Sequence, residues 1–341
     1  MTAPPPLLEL RDLSTHYVSA RGTRVVRAVD RVSLAVRAGE TLGIVGESGS
    51  GKTTLALTIL RLLPPAAKIV SGEIRFEGED LLKKSDVEMR HIRGKRIAMI
   101  LQDPMASLNP LFTIGDQVAE PLRIHEGASR RTAWSRARDL LRAVKIPAPE
   151  SRLGDYPHQM SGGMRQRIVG AIAVSCEPRL LIADEPTTSL DLTIQAQYLK
   201  LLHELQQSHG LALVFITHNL GIVAKMCDQV AVMYAGRVVE AGPVKRIFDT
   251  PAHPYTRALL EAIPRMGDTR ERLTAIEGQP PDLAALPTGC AFHPRCPEAL
   301  DRCREEPPGT SAVGAEHSVR CWLWEPDVAR PGTSERVRNR G

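Results

Sequence analysis

The sequence predicts an α/β fold: short buried strands alternating with helices, a small antiparallel sheet near the N-terminus, and a helical stretch inserted between two core strands. Three observations carry that prediction. The run Thr41-Leu42-Gly43-Ile44-Val45 is short, apolar and β-branched, and leads through Gly46-Glu47-Ser48-Gly49-Ser50-Gly51-Lys52-Thr53-Thr54 into a helical run from Thr54 to Leu63 that stops before Pro64-Pro65. Two further apolar runs end in polar residues: Arg96 to Leu101 meets Gln102-Asp103-Pro104, and Leu180 to Ala183 meets Asp184-Glu185-Pro186. Finally, 341 residues with 43% apolar content give material for one large domain with an appendage, or for two domains.

The elements follow in order. Leu8, Leu10, Val32, Leu34 and Val36 alternate with polar neighbours at strand period, which predicts a small antiparallel sheet leaning on the strand Thr41–Val45. Tyr17 lies within it. An aromatic here can stack on a flat ring, and a half-exposed strand tyrosine has the same spacing. The loop fits G-x-x-x-x-G-K-[ST] at every fixed position. Its Gly46, Gly49 and Gly51 let successive N–H groups turn inward at a helix N-terminus, so that the loop, with Ser48, Ser50 and Thr54, cradles phosphates. Lys52 would reach the terminal phosphates and Thr53 would place its hydroxyl on Mg²⁺.

Gly72 to Gly78 reads as an edge strand. Gln102 ends a core strand where a ligand would sit in the crevice of the sheet. From there to about Pro157 the pattern is helical, with runs from Ile114 to Leu122 and from Ala133 to Val144. Ser161-Gly162-Gly163 opens another helix whose N-terminus can bind an anion, although a plain turn before a helix looks similar. Asp184 at the tip of its strand would hold Mg²⁺ through water, and Glu185 would polarise an attacking water. Ser189-Leu190-Asp191 precedes a helix from Thr193 to Ser208. His218 then caps the strand Leu213–Thr217; a lone histidine is usually structural, but at the exit of a core strand beside Asp184-Glu185 it can instead sense a terminal phosphate. Val230 to Glu240 reads as a hairpin about Ala235-Gly236, and the core should finish near residue 260.

The net charge of +5 selects no partner, because the positive residues form no aromatic-interleaved patch and part of them lies between Arg330 and Arg340, in a stretch read as a solvated tail. No run of about eighteen apolar residues exists, so no membrane span is expected. Met1 to Pro6 lacks the pattern of a secretory signal, which points to the cytoplasm and to reduced cysteines. Cys290, Cys296, Cys303 and Cys321 crowd together as C-x5-C-x6-C-x17-C, and four close thiols in a reducing compartment point to a metal site. The spacing matches neither paired zinc motifs nor ferredoxin runs. Cys176 and Cys227 read as core thiols.

The order of phosphate loop, Gln102, Ser161-Gly162-Gly163, Asp184-Glu185, Ser189-Leu190-Asp191 and His218 resembles the ATP-binding subunit of ABC transporters over residues 7 to 260. The resemblance implies a P-loop NTPase core of the ABC ATPase type, in residues 1–260 with a helical subdomain at about 104–165, followed by a small cysteine-containing extension (261–325) and a disordered tail (326–341). It implies ATP and Mg²⁺ as ligands, with Thr53, Gln102 and Asp184 about the metal, and Glu185, His218 and Gln102 in catalysis. By the same resemblance Tyr17 stacks on adenine, and Ser161 and Gly163 reach a nucleotide held by a second subunit. Met160 departs from the family's usual glutamine.

Gln102 to Pro110, Gly162 to Arg167, Ala183 to Asp191, Thr193 to Gln197 and His253-Pro254-Tyr255-Thr256 together resemble the D-type ATPase of dipeptide and oligopeptide importers. That branch pairs with an F-type ATPase and two membrane permeases on the cytoplasmic face of the membrane, fed by an extracytoplasmic solute-binding protein. Nickel and glutathione importers belong to the same branch and leave alternative cargoes. The resemblance also implies a [4Fe–4S] cluster on Cys290, Cys296, Cys303 and Cys321, with zinc and then ordinary buried thiols as the other readings. A non-transport ABC ATPase acting on DNA or ribosomes would need a long coiled coil or a second ATPase domain, and neither is present. Glu185 and His218 argue against a module that binds ATP without turnover. No nucleic-acid partner is expected.

Overall fold

The computed structural model describes residues 5–188, 190–263 and 276–325. The N-terminal alternation builds β1 (Leu8–Val18) and β2 (Val25–Val36), antiparallel partners with Leu8 opposite Val36 and Leu10 opposite Leu34. β3 (Thr41–Val45), which leads into the phosphate loop, is buried along its whole length and belongs to a different sheet. β4 (Ala67–Phe76) returns to pair with β1 and with the short β5 (Glu79–Asp80), giving the order β2-β1-β4-β5. The strand expected from Gly72 to Gly78 is therefore longer and interior. Gly72 lies inside β4 at φ +98°, beside a register shift, where an added Cβ would stand 2.5 Å from the Leu13 Cα. Only a residue without Cβ fits that close crossing of strands.

The main sheet is assembled from β3, β6 (Ile97–Ile100), β7 (Leu180–Asp184), β8 (Ala212–Ile216), β9 (Gln229–Tyr234), β10 (Arg237–Pro243), β11 (Ser311–Gly314) and β12 (His317–Val319). Its order is β11-β12-β10-β9-β3-β8-β7-β6, with β9, β3, β8, β7 and β6 mutually parallel. The carboxyl ends of these five strands consequently share one edge, and the segments leaving β3, β6, β7 and β8 meet there. β10 turns back antiparallel on β9 through Ala235-Gly236. β12 and β11, from the C-terminal part, then extend the same sheet outward.

Between β6 and β7 the chain leaves the sheet for the helices Ile114–Glu126 and Arg130–Ala143, capped by Thr113 and Ser129, and returns through Gly162–Val174. Their apolar faces (Ile114, Val118, Leu122, Ala137, Leu141 and Ile168) pack in one core with Ile100 and Phe215. A second core joins the two sheets through Leu8, Leu10, Val32, Ile44, Ile182 and Val214. A third gathers Tyr234, Tyr255 and Phe292, so that residues from the C-terminal part pack directly onto β9. The helix after the phosphate loop, Lys52–Ile59, is shorter than the apolar run predicts, because Arg61 turns left-handed at φ +51°. Ser189, the Arg330–Arg340 charges and the stretch 326–341 lie outside the described residues.

Candidate active site

A cleft of about 590 Å³ opens at the shared carboxyl edge of the parallel strands. Ser48, Gly49, Gly51, Lys52, Thr53 and Thr54 line it from the loop after β3. Gly51 caps the helix Lys52–Ile59 at φ +102°, and a Cβ there would fall 2.0 Å from the Ala28 carbonyl oxygen. The close approach of the loop to β2 therefore demands glycine. Lys52 folds back into the loop: its Nζ donates to the carbonyls of Gly46 at 2.8 Å and Glu47 at 2.9 Å, and to Ser50 Oγ at 3.4 Å. Burial lowers the Lys52 ammonium, while the carboxylates of Glu185, Asp184 and Glu47 pull it back up. An ammonium held this way by weak neutral acceptors is ready to exchange them for phosphate oxygens.

Gln102, Glu185 and His218 reach the same cleft from the ends of β6, β7 and β8. Glu185 sits at φ +45°, where the chain turns away from β7. Gln102 Nε2 donates to Glu185 Oε2 at 3.2 Å, Thr188 Oγ1 donates to the same oxygen at 2.9 Å, and His218 Nδ1 lies 3.3 Å from Oε1. The Glu185 side chain is only 17% exposed, whereas His218 is 60% exposed and faces the opening. A carboxylate fixed by three neighbours, with an open side toward the loop, can orient and polarise a water.

Behind it, burial pushes the Asp184 carboxyl up, the Thr53 hydroxyl opposing that shift. Asp184 Oδ1 is buried without any protein partner. An orphaned carboxylate oxygen beside a hydroxyl fits a hydrated Mg²⁺, which takes one or two carboxylates and completes its shell with water and phosphate. Tyr17 lines the far end with Val26 and Ala28, and its hydroxyl lies 3.4 Å from Thr54 Oγ1. The apolar surface at this end can take a nucleobase.

The residues singled out from sequence around Lys52 thus share one cleft, with Gly46 and Ser50 supporting it through Lys52. Ser161 and Gly163 do not line it. Ser161 is the exposed N-cap of the helix Gly162–Val174, accepting a hydrogen bond from Met164 N at 3.3 Å. Three contributors were missed. Thr188 braces Glu185, Leu283 lines the cleft, and Arg295 pairs with Glu47 of the loop. No spacing signal links Leu283 or Arg295 to a loop so far back in the chain, Arg295 lying 248 positions beyond Glu47, and Thr188 shows its role only in the turn that follows Glu185.

The cysteine reading needs correction. Among the described residues no group of three or more His, Cys, Asp or Glu side chains is placed to hold a metal ion, so neither the [4Fe–4S] cluster nor the zinc site expected at Cys290, Cys296, Cys303 and Cys321 stands. All four are free thiols. Cys303 and Cys321 are buried, while Cys290 and Cys296 pack against the aromatic core of Tyr234, Tyr255 and Phe292. Burial raises Cys296 to about 11 and Cys321 to about 12, with neighbouring thiols adding to both. Buried in this way, the thiols pack as small apolar side chains.

Residues 29–188 match the family described as "ABC transporter", and residues 239–303 match "Oligopeptide/dipeptide transporter, C-terminal region". The chain is 52% identical over 318 residues, covering 93% of this chain and 94% of the relative, to a probable peptide ABC transporter ATP-binding protein, y4tR, of Sinorhizobium fredii. It is 47% identical over 325 residues, covering 95% and 99%, to the dipeptide transport ATP-binding protein DppD of Escherichia coli. Among solved structures it is similar to the dimeric post-hydrolysis state of the ATP-binding cassette MJ0796 bound to ADP and Pi, with a TM-score of 0.62 and 28% identity over 70% of this chain and 98% of that one.

Proposed function

The chain belongs to the ABC transporter family of ATP-binding subunits, and from that premise we propose that its cleft hydrolyses MgATP to drive a peptide importer. The observation that carries the reading is Glu185: a carboxylate held by Gln102, Thr188 and His218 at the mouth of a cleft floored by a phosphate loop. Peptides are the cargo in the names of relatives that share nearly the whole chain, and the match over residues 239–303 supports the same cargo. Nickel and glutathione are not favoured.

In this reading the loop N–H groups and Lys52 hold the terminal phosphates, and Tyr17 with its apolar neighbours holds adenine. Thr53, Asp184 and Gln102 would hold magnesium, which when bound would supply positive charge against the phosphates. Glu185 orients the attacking water, and His218, on the open side of Glu185, takes up contact with the γ-phosphate. Ser161 and Gly163 lie away from this chain's own cleft, at an exposed helix N-terminus. They complete the nucleotide site of a second ATPase, of the F type, in a head-to-tail dimer. The division into an ATPase domain (1–260) and a C-terminal extension (261–325) belongs to the same proposal.

The subunit works with membrane permeases. No described helix is long and apolar enough to cross a membrane, which suits a peripheral subunit that docks on permeases at the cytoplasmic face. An extracytoplasmic solute-binding protein would deliver the peptide. The test is uptake by vesicles carrying the permeases, this subunit and its partner ATPase. Peptide-loaded solute-binding protein is expected to stimulate ATP hydrolysis and peptide uptake together, and Lys52→Ala to abolish both. Stimulation by a nickel- or glutathione-loaded binding protein and not by peptide would overturn the cargo.

A further inference from the structure

Glu47 places a carboxylate inside a loop built to receive an anion. Left alone, that charge would oppose the phosphates the loop cradles. It is met by Arg295, which lies 248 residues further along the chain. Arg295 Nη1 donates to Glu47 Oε2 at 2.7 Å and Nη2 donates to Oε1 at 3.0 Å, a two-pronged pair. The Arg295 side chain is 4% exposed and that of Glu47 is 26% exposed, so the pair is largely withdrawn from solvent screening.

The rest of the guanidinium is equally occupied. Nε donates to the Glu277 carbonyl at 3.0 Å, Nη2 to the Ile276 carbonyl at 3.3 Å, and Nη1 to the Tyr234 hydroxyl at 3.3 Å. All five donors of the fork are therefore used, and the group cannot swing away without leaving several partners unpaired. Glu47 is held from other directions as well. Its N–H donates to the buried Tyr255 hydroxyl at 3.0 Å, and its carbonyl accepts from Lys52 Nζ at 2.9 Å. Between Ile276 and Arg295 the same segment runs along the cleft: Leu283 lines it, and the Leu283 carbonyl accepts from Arg27 N at 3.1 Å.

We propose that Arg295 is a positioning residue of the nucleotide site: it neutralises Glu47 and fixes the first turn of the phosphate loop, so the C-terminal segment is part of the ATP-binding unit. The proposal rests on the ATP-binding reading above. Removing the cation while keeping the volume, as in Arg295→Met, leaves an uncompensated carboxylate in the loop. Removing both charges, as in Glu47→Gln with Arg295→Met, relieves it.

The test is equilibrium binding to the full-length chain with two probes, MgATP and magnesium tripolyphosphate. Arg295→Met is expected to weaken both by about tenfold, a usual size for coupling between linked sites. The loss should be in equal proportion, because the effect acts on phosphate and not on the base. The double variant is expected to recover most of the affinity despite the absent guanidinium. Wild-type affinity in Arg295→Met would overturn the proposal. So would a double variant as weak as the single one, because the pair would then be a brace without an electrostatic role. A wild-type chain that binds neither probe would remove the ATP reading itself, an outcome distinct from both.

Discussion

Glu185 carries the residue-scale argument, because its three neighbours come from three different strand ends. Gln102 follows β6, Thr188 lies three residues past Glu185 itself, and His218 follows β8. Replacing Glu185 by Gln keeps size and hydrogen bonding but removes the charge that polarises water. MgATP should still bind, while hydrolysis by the assembled importer falls about 10²-fold or more. Turnover is measured with the partner's own acidic residue also mutated, so that only this cleft reports, and near-normal hydrolysis would remove Glu185 from the chemistry. This residue was legible in sequence because a strand and its tip are adjacent in the chain: four apolar residues followed by two carboxylates fix both burial and position. Arg295 was not legible. Nothing in the local pattern of a Pro- and Arg-containing segment announces a contact with a loop near residue 47, and only the packed third core brings them together. The cysteines show the converse error, since closeness in sequence was read as ligation whereas burial makes the thiols packing groups.

At the scale of elements, the junction between the main sheet and the C-terminal strands depends on three buried polar residues, Glu240, His253 and His317. Glu240 on β10 accepts from Ala252 N at 2.7 Å, His253 N at 2.9 Å and His317 Nε2 at 2.8 Å, so one carboxylate ties β10, the start of the helix Pro254–Glu261, and β12. His253 caps that helix, its Nδ1 accepting from Tyr255 N at 3.0 Å, with its ring beside Phe292. Burial drives His253 from an ordinary value near 6.5 down to about 3. The fold therefore keeps the ring neutral while the unfolded chain takes up a proton below about pH 6.5. The contribution is intact above that pH and is lost progressively as pH falls toward 3. Each pH unit in that window costs about 1.4 kcal/mol, hence about 2 kcal/mol between pH 6.5 and 5. Asn at this position preserves a cap acceptor without the titration. Urea unfolding at pH 7.5 and pH 5 should show the wild type losing about 2 kcal/mol more than His253→Asn. Equal losses would mean that the ring is solvated and titrates normally. The hairpin of β9 and β10 was expected from its turn at Ala235-Gly236, whereas the helix Pro254–Glu261 and the strands β11 and β12 were not. The two strands are short, three or four residues each, and carry too little alternation to separate from loop.

On the scale of the whole molecule, the composite site proposed above needs two surfaces that one chain does not bring together. The phosphate loop and Glu185 face one cleft, while Ser161 opens the helix Gly162–Val174 on an exposed surface. A helix N-terminus is a good partner for a γ-phosphate, and Ser161 does not line this chain's own cleft. In the head-to-tail dimer proposed above a second ATPase would supply that phosphate; the similar cassette MJ0796 is dimeric in its ADP- and Pi-bound state. The dimer can be trapped by adding MgATP to the Glu185→Gln chain mixed with a partner carrying the matching change, and read as mass by light scattering. Adding Ser161→Arg to the trapped pair should leave ATP binding to this chain's own loop unchanged and abolish the dimer, because a bulky cation then occupies the phosphate position. The substitution also removes the N-cap bond from Met164 N, which by itself costs about 1 kcal/mol of helix stability. Ser161→Ala separates the two effects, since it loses the cap but leaves space for phosphate. Weakened but detectable dimer with Ala, and none with Arg, is the expected order. A dimer that forms equally well with Arg would place the partner's nucleotide elsewhere and dissolve the composite site.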